Sequence, residues 1–184
     1  VHAFNVPPAG TPERTEWRLG ISSLCGTCHE EQLEIWTESV HGREVTQKNN
    51  PKAAVCSDCH STHDIKRSKS EEAKLAITAN CGNCHEDRYE SYKFTYHGKI
   101  TTLGYANTAK CFNCHGSHDI EPSSNELAYM HPDNRLETCQ ECHNGKKDIS
   151  LATAGFISFR PHGTTNNFDK YPELWLANQL MNQL

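Results

Sequence analysis

Apolar residues along this chain of 184 residues are sparse and stand in short runs separated by polar residues. The longest run, LATAGFI at 151–157, is far too short to span a bilayer. Two segments, EEQLEIWTESVHG at 30–42 and EDRYESYKFTYHG at 86–98, are each predicted to form one helix. Acidic residues open both segments, which suits the positive end of a helix dipole, and Gly42 and Gly98 stand where a C-cap glycine belongs. Segments 66–80 and 121–138, enriched in Ser, Lys, Pro and Asn, are predicted linkers.

The supply of apolar side chains is too small for an ordinary hydrophobic core. Hydrophobic residues make up 35% of the chain and aromatic residues 8%, and the mean hydropathy is -0.74. This composition alone suggests disorder, but ten cysteines and twelve histidines indicate a chain organised by covalent or metal bonds. The formal charge is -5, and no basic run suggests binding of nucleic acid.

All ten cysteines belong to one motif, C-x-x-C-H, which occurs five times and is the attachment motif of c-type haem. Cysteines at i and i+3 of a helical turn face the same way and can bond the two vinyl groups of one porphyrin edge. The adjacent histidine then reaches the iron as its proximal ligand. The predicted attachment residues are Cys25, Cys28, Cys56, Cys59, Cys81, Cys84, Cys111, Cys114, Cys139 and Cys142. The predicted proximal ligands are His29, His60, His85, His115 and His143.

Three other roles for the cysteines fit this pattern less well. Five disulfides are disfavoured because a disulfide within C-x-x-C is usually a redox site and not a structural link. Zinc sites do not require a histidine after every second cysteine. A thioredoxin-like motif would occur once, near a βαβ pattern that this sequence lacks. Covalent haem is therefore the preferred prediction.

Five haems would account for the missing core, because large buried macrocycles can replace many absent Leu and Val side chains. The predicted fold class is mainly α and irregular, with short helices and loops wrapped around a chain of five covalent haems and little or no β-sheet. The apoprotein is not expected to fold. Residues 1–184 are expected to form a single multihaem domain.

An internal repeat divides this domain, since residues 25–65 align with residues 81–120. Each repeat carries two motifs, a His-Gly pair and a closing His-Asp-Ile. The predicted organisation is an N-terminal arm at 1–24, dihaem repeats at 25–65 and 81–120, and a fifth-haem segment with a C-terminal tail at 121–184. The tail, YPELWLANQLMNQL, has an apolar face that would either pack onto the last haem or dock a partner or a membrane surface.

Seven histidines lie outside the motifs, and five irons need five more axial ligands if all are six-coordinate. Four of the seven recur between the repeats and are favoured as ligands: His41, His63, His97 and His118. His162 and His131 are the candidates for the remaining iron. His2 is a further candidate, and a spare histidine could ligate a haem of a neighbouring subunit. Because neither of the two methionines recurs, bis-histidine ligation with low reduction potentials is predicted.

His118 follows the motif histidine His115 so closely that it cannot easily reach the opposite face of the same ring. It is therefore predicted to ligate a different iron, that of the partner haem in its own repeat. The stretch CFNCHGSHDI would then link two haems, and CSDCHSTHDI at 56–65 would do the same in the first repeat.

With these motifs, the chain resembles the periplasmic and extracellular multihaem cytochromes c that carry doubled C-x-x-C-H repeats. The blocks CGTCHE…SVHG…CSDCHSTHDI and CGNCHE…TYHG…CFNCHGSHDI are similar to that family's haem-pair unit. The block HPDNRLETCQECHNG…PHG…YPELW is similar to its closing segment. The resemblance implies bis-histidine haems in alternating stacked and T-shaped pairs that pass on single electrons. Some relatives are soluble shuttles, and others polymerise into extracellular filaments.

The predicted function is electron transfer, as a conduit in respiratory or extracellular electron transport, with a cytochrome filament as one form of it. The chain is not predicted to be an enzyme. The alternative, a reductase of a small nitrogen or sulfur oxyanion, needs an iron with an open or displaceable ligand. Expected partners are other redox proteins or copies of the chain, with no nucleic acid and no transmembrane segment. The start at Val1, without an initiator Met, suggests an exported, periplasmic or extracellular protein after signal removal, or an excised soluble portion.

Overall fold

The computed structural model of this chain describes residues 6–61, 63–143, 162, 172–173, 176 and 180. Within them the chain forms helices and turns and no strand, which confirms the predicted mainly α class with little or no sheet. The helices are α1 (Pro12–Leu19), α2 (Ile21–Gly26), α3 (Glu30–Glu38), α4 (Val40–Thr46), α5 (Cys56–His60), α6 (Glu71–Gly82), α7 (Glu86–Lys93), α8 (Tyr96–Thr102), α9 (Cys111–His115) and α10 (Arg135–Gln140). None of the described helices is long and apolar enough to cross a membrane. Most of the predicted apolar tail lies outside the described residues.

The two sequence repeats have matching helices. In the first repeat, α3, α4 and α5 follow one another, and in the second repeat α7, α8 and α9 do the same. α2 packs on α3 and α5 in the first repeat, as α6 packs on α7 and α9 in the second. The helices of the two repeats therefore pack in the same local arrangement.

The single helix predicted for residues 30–42 is wrong, because the structure breaks it into two. α3 ends at Glu38, and Ser39 is extended, with φ -72° and ψ 167°. The Ser39 hydroxyl accepts a hydrogen bond from the backbone N–H of Gly42 at 3.1 Å and so caps a new helix, α4. Thr95 does the same for α8 through the N–H of Gly98 at 3.0 Å. A recurring hydroxyl thus starts a second helix in each repeat.

Gly42 and Gly98 were predicted to be C-caps, and this prediction is wrong. Both glycines lie buried in the first turns of α4 and α8. A Cβ built on Gly42 would be 1.9 Å from the carbonyl oxygen of Trp36, and one on Gly98 would be 1.9 Å from that of Tyr92. No side chain fits at this distance, so glycine is required by the close approach of two backbones. The glycine fixes each second helix against the first.

The predicted linker at 66–80 is also wrong, since α6 occupies most of it. Ser70 accepts a hydrogen bond from the N–H of Ala73 at 3.2 Å, and Glu71 and Glu72 follow in the first turn. In the second predicted linker, turns lead into α10, which begins at Arg135.

The hydrophobic core of the described residues is small. Its buried cluster consists of Trp36, Val45, Ala53 and Val55, against which Leu19 and Leu33 pack. Large apolar side chains elsewhere are exposed, Leu103 at 86% and Tyr96 at 87% among them. The described residues therefore bury little apolar surface in a common cluster.

Candidate functional site

The five C-x-x-C-H motifs lie on short helical turns. Two of them form whole helices, α5 and α9, and the other three begin at the ends of α2, α6 and α10. The backbone N–H of His29 bonds to the carbonyl of Cys25 at 3.0 Å, and His143 bonds to Cys139 in the same way at 3.0 Å. The helical turn places both cysteines of a motif on one face, as the sequence predicts.

All ten cysteines are free thiols, and thiols of successive motifs lie near one another. Burial first, and then the neighbouring Cys81, raise the pKa of the Cys59 thiol to about 12. Burial, followed by Cys139 and Cys142, raises the pKa of Cys114 to about 11. These contacts join the second motif to the third and the fourth to the fifth. The motifs therefore follow one another in space in the order of the sequence.

Within each repeat, the first thiol of one motif also meets the first thiol of the next. Burial, and then Cys56, raise the pKa of Cys25. A hydrogen bond to Cys111 is the main cause of the raised pKa of Cys81. The five motifs form one continuous series, with no disulfide to link them.

Four pairs of imidazole rings stand opposite each other, and each pair joins one motif histidine to one histidine outside the motifs. The ring centroids are 6.0–6.2 Å apart. The pairs are His85 with His41, His60 with His118, His143 with His97, and His115 with His162. Of the distal histidines predicted as ligands, the structure brings these four to motif histidines.

The pairs are of two kinds, and each kind recurs. In the pairs that contain His85 of the third motif and His143 of the fifth motif, the planes of the two rings are tilted by 41° and 48°. Where the motif histidine belongs to the second motif of a repeat, the rings are closer to parallel, at 27° and 25°. The recurrence shows that the spacing is built by the repeat and does not arise from a single chance contact.

The ring spacing fits one metal ion between two imidazoles. A histidine nitrogen lies about 2 Å from a bound first-row metal, and about 1.1 Å from its own ring centroid, so two ligating rings stand roughly 6.2 Å apart. No group of three or more His, Cys, Asp or Glu side chains in the described part of the chain could hold a metal ion. Two imidazoles leave the equatorial positions of an octahedral metal to another molecule, as a cysteine-bound porphyrin would supply.

Burial favours the neutral, metal-binding form of several of these imidazoles. Burial, and then the facing motif histidine, lower the pKa of His41 and of His97. For His60, burial acts first and the facing His118 second. A lowered pKa favours the neutral imidazole near pH 7, and a neutral ring offers a nitrogen lone pair to a metal.

The helix break described above positions the tilted pairs. His41 occupies the second position of α4, between the capping Ser39 and the tightly packed Gly42. His97 occupies the same position of α8. The sequence contained a signal for this arrangement, since a hydroxyl residue stands two positions before His41 and two positions before His97.

A residue with positive φ follows the second motif of each repeat, two positions before the other distal histidine. Gly116 follows the motif with φ +84°, and a Cβ there would be 2.4 Å from a carboxylate oxygen of Asp119. Ser61 takes the equivalent place in the first repeat with φ 60°. Two residues beyond Gly116, the ring of His118 lies opposite the ring of His60.

His118 does not face a histidine of its own repeat, contrary to the prediction. Its partner, His60, belongs to the first repeat. The backbone N–H of Val40 bonds to the carbonyl of Ile120 at 2.9 Å, which joins the two repeats beside this pair. Spacing along the chain excluded the nearest ring but could not identify which other ring His118 meets.

A salt bridge strengthens the same contact between the repeats. Arg43 donates from both terminal nitrogens to the two carboxylate oxygens of Glu121, at 2.7 and 2.6 Å. This hydrogen bonding is the main cause of the lowered pKa of Glu121. Because Arg43 lies in α4 and Glu121 follows the His-Asp-Ile segment, the pair holds together the two elements that carry His41 and His118.

His162 stands opposite His115 and is oriented by a buried serine. Its Nδ1 lies 2.9 Å from the hydroxyl of Ser91, which leaves Nε2 as the nitrogen that is free for a metal. Burial first, then His115 and Arg88, lower the pKa of His162 to about 4. Sequence analysis named His162 but missed Ser91, for which the sequence gives no signal.

Three other predicted ligands have no such ring partner among the described residues. His29 and His63 are both exposed, and His63 lines a cavity beside α1. Nδ1 of His131 lies 3.5 Å from a carboxylate oxygen of Asp133. His2 lies outside the described residues.

Searches against protein families, curated proteins and solved structures found no match. The interpretation of the site therefore rests on its own geometry. That geometry consists of free thiols in sequence order and of imidazole pairs at the spacing of a shared metal ion.

Proposed function

We propose that this chain is a pentahaem c-type cytochrome that transfers electrons. The observation that supports this most strongly is the set of four imidazole pairs, each of which joins a C-x-x-C-H histidine to a histidine outside the motifs. When bound, haem supplies one-electron redox chemistry at iron. The ten thiols would hold five haems, one at each motif.

The protein's own contribution is to set positions and surroundings. The helical turns present two thiols on one face, where they would hold the porphyrin, and the paired imidazoles would bind its iron. The order of the motifs in space would place each haem beside the next one in sequence, so that electrons could pass along the whole series. The small hydrophobic core agrees with this proposal, since the macrocycles would fill the interior.

The proposal includes a role as a conduit in respiratory or extracellular electron transport, in the periplasm or outside the cell. Partners would be other redox proteins or copies of this chain. The formal charge of -5 becomes more negative with haem propionates, so we expect a basic docking surface on a redox partner. Binding to that partner would weaken as salt is added.

The test is to produce the chain with a haem-attachment system and to measure its mass and spectra. We expect five covalent haems, a low-spin spectrum for the histidine pairs and reversible reduction of every haem. Replacing Cys56 and Cys59 by Ala should remove one haem and leave four. A protein that carries no covalent haem, or that binds zinc at its thiols instead, would contradict the proposal.

One observation bears on the alternative, a reductase of a small nitrogen or sulfur oxyanion. His29 faces no other imidazole among the described residues, so its iron is the candidate for an open position. A high-spin haem in the resting protein, together with turnover of nitrite or sulfite by the wild-type protein, would favour the reductase.

A further inference from the structure

The two near-parallel imidazole pairs have nearly the same geometry. The rings of His60 and His118 stand 6.1 Å apart at 27°, and those of His115 and His162 stand 6.1 Å apart at 25°. In each pair the motif histidine belongs to the second motif of a repeat. Ring spacing and tilt therefore give no reason for the two sites to differ, so a difference between them has to come from groups around the rings.

The hydroxyl of Ser91, in α7, is such a group. Ser91 is 4% exposed, and its Oγ lies 2.9 Å from Nδ1 of His162. The equivalent position in the first repeat is Ile35, because Glu34 aligns with Glu90. An isoleucine side chain has no atom that can accept a hydrogen bond from a ring nitrogen. The hydroxyl is therefore a feature of the second repeat alone.

A second hydrogen bond of Ser91 fixes the position of the ring proton. The Ser91 hydroxyl has one proton, which it donates to the carbonyl oxygen of Arg88 at 2.8 Å. A carbonyl can only accept, so Ser91 Oγ is left to act as an acceptor towards His162. Nδ1 of His162 is then the N–H donor, and in a neutral imidazole Nε2 keeps its lone pair. The series from His162 through Ser91 to Arg88 thus selects one tautomer.

The same series changes the strength of Nε2 as a ligand. A ligating imidazole that donates its other ring N–H to an acceptor becomes more basic. The bond from Ser91 to Arg88 polarises the hydroxyl and makes it a better acceptor, and its burial limits competition from water. A more basic imidazole favours ferric over ferrous iron, because the ferric ion carries one more positive charge.

We propose that Ser91 is a positioning residue that lowers the reduction potential of the haem at the fourth motif. It does so by holding the ring proton of His162 on Nδ1. When this haem is reduced, its iron gains one electron and the proton stays on Nδ1, so no proton is exchanged with solvent. This inference rests on the proposed function, since it needs haem at Cys111 and Cys114.

Lys110 acts on the same motif in the opposite direction. It is buried directly before Cys111, and a positive charge there favours the reduced iron. The order of the five potentials depends on both residues. A substitution at Ser91 leaves Lys110 in place, so the shift that it causes measures the hydrogen bond by itself.

The test is a redox titration of the five-haem protein and of two variants, S91A and S91T. We expect S91A to keep five low-spin haems and to shift one component upward. Loss of such a supporting hydrogen bond typically changes metal affinity by about tenfold or more, and a tenfold change in the preference for ferric iron is about 59 mV for one electron. S91T keeps the hydroxyl and should restore the potential to near the wild-type value.

T78V is the matched control. Thr78 is 1% exposed, and its hydroxyl donates to the carbonyl of Lys74 at 2.8 Å. T78V therefore removes a buried hydroxyl that bonds to a helix carbonyl, as the Ser91 hydroxyl also does, but it removes no bond to a histidine. No component should shift upward as it does in S91A.

Two measurements assign the effect to the fourth motif. The shift should be absent when S91A is combined with C111A/C114A and should persist with C56A/C59A. In the fully reduced, low-spin protein, nuclear magnetic resonance should show the Nδ1–H proton of His162 exchanging slowly with water. This protection should be lost in S91A and kept in S91T.

Four outcomes would overturn the proposal. They are an unshifted or lowered potential in S91A, the same shift in S91T or T78V, a shift that survives removal of the fourth-motif haem, and a high-spin haem in S91A, which would show that Ser91 only holds the ring in place. If S91A does not fold, the wild type decides, because a His162 ring without a protected Nδ1–H also overturns it. All of these leave the proposed function intact, whereas a protein without covalent haem would refute that function first.

Discussion

The imidazole rings of His60 and His118 lie 6.1 Å apart and within 27° of parallel, although they belong to different repeats. The pair joins the motif at the end of the first repeat to the turn that closes the second. If one iron lies between the rings, the residue that follows one haem-attachment motif controls the haem of another.

We therefore predict that H118A damages the haem at Cys56 and Cys59 and leaves the haem at Cys111 and Cys114 low-spin. The measurement is the high-spin signal in electron paramagnetic resonance. The signal should be absent when H118A is combined with C56A/C59A, because the affected haem is then missing. It should persist when H118A is combined with C111A/C114A. The opposite result would assign His118 to the haem of its own motif.

Gly42 gives a second prediction, since a methyl group there would collide with the carbonyl of Trp36. G42A should destabilise the holoprotein by about 1–3 kcal/mol, the usual cost of overpacking. It should also move His41, so that the haem at the third motif loses its low-spin spectrum. Urea unfolding and the spectrum measure the two effects.

G20A is the matched control for this substitution. Gly20 has φ -74°, and the nearest heavy atom to an added Cβ is the Trp17 carbonyl oxygen at 3.5 Å, an ordinary contact. Little change in the free energy of unfolding is expected for G20A. Equal effects of G42A and G20A would show that the backbone approach at Gly42 is not needed.

The salt bridge of Arg43 and Glu121 predicts a pH dependence. The hydrogen bonds from Arg43 lower the pKa of Glu121 in the folded protein, so this group stabilises the fold above the unfolded pKa of about 4.3. The contribution is lost as the pH falls through the lowered folded pKa. E121Q should lower the free energy of unfolding by about 1.5–3 kcal/mol at pH 7, in the range for hydrogen bonds to charged groups. At a pH below the folded pKa, E121Q and wild type should differ much less.

K48A is a suitable control, because it breaks the exposed ion pair of Lys48 with Glu44. Both residues of that pair lie in the first repeat, so the pair does not join the two repeats. Because the pair is exposed, K48A should change the stability at pH 7 and its pH dependence much less than E121Q does. If E121Q behaves like K48A, the contact between the repeats does not depend on this salt bridge.

Lys110 gives a prediction about reduction potentials. It is 1% exposed, stands directly before Cys111, and donates to the carbonyls of Ala106 and Thr108 at 2.8 Å each. Val55, also 1% exposed, holds the same place before Cys56. The repeats thus differ by one buried cation beside a haem-attachment motif.

We expect K110M to make one haem harder to reduce, because the reduced iron loses a nearby positive charge. A unit charge about 10 Å away in an effective dielectric of about 20 contributes roughly 70 mV for one electron. Redox titration should show one of five components shifted downward by tens of millivolts. V55M, which changes volume without changing charge, should shift none of them systematically. An upward shift in K110M would contradict the role of the charge.

The sequence allowed some of the recurring elements of this protein to be predicted. The cysteine spacing predicted five helical turns with paired thiols. The repeat singled out four distal histidines, of which the structure brings His41, His97 and His118 to motif histidines. His63, the fourth, faces no motif histidine among the described residues. These features are local, or are repeated at fixed spacing. Periodicity within one chain is visible without any knowledge of the fold.

What the sequence did not allow to be predicted depends on contacts between distant segments. The helix break at Ser39 depends on a hydroxyl cap and on the close approach of Gly42 to Trp36. The hydrophobic spacing of residues 30–42 continues without interruption and predicted one continuous helix. The partner of His118 depends on how one repeat lies against the other. Ser91 meets His162 only because α7 lies beside a segment that is distant in sequence.

The pairing of histidines across the two repeats also means that the order of synthesis matters. A chain made from its N-terminus already contains His41 when Cys81 and Cys84 are added. The distal histidine that faces the third motif is therefore present before that motif is complete. The second motif is complete much earlier than His118, and its haem would stay open on one side until the second repeat follows. A chain that ends between the repeats would therefore differ from the finished protein in its chemistry and not only in its number of haems. It would carry a reactive iron that takes up small ligands such as carbon monoxide, and so would differ chemically from the same half within the finished protein.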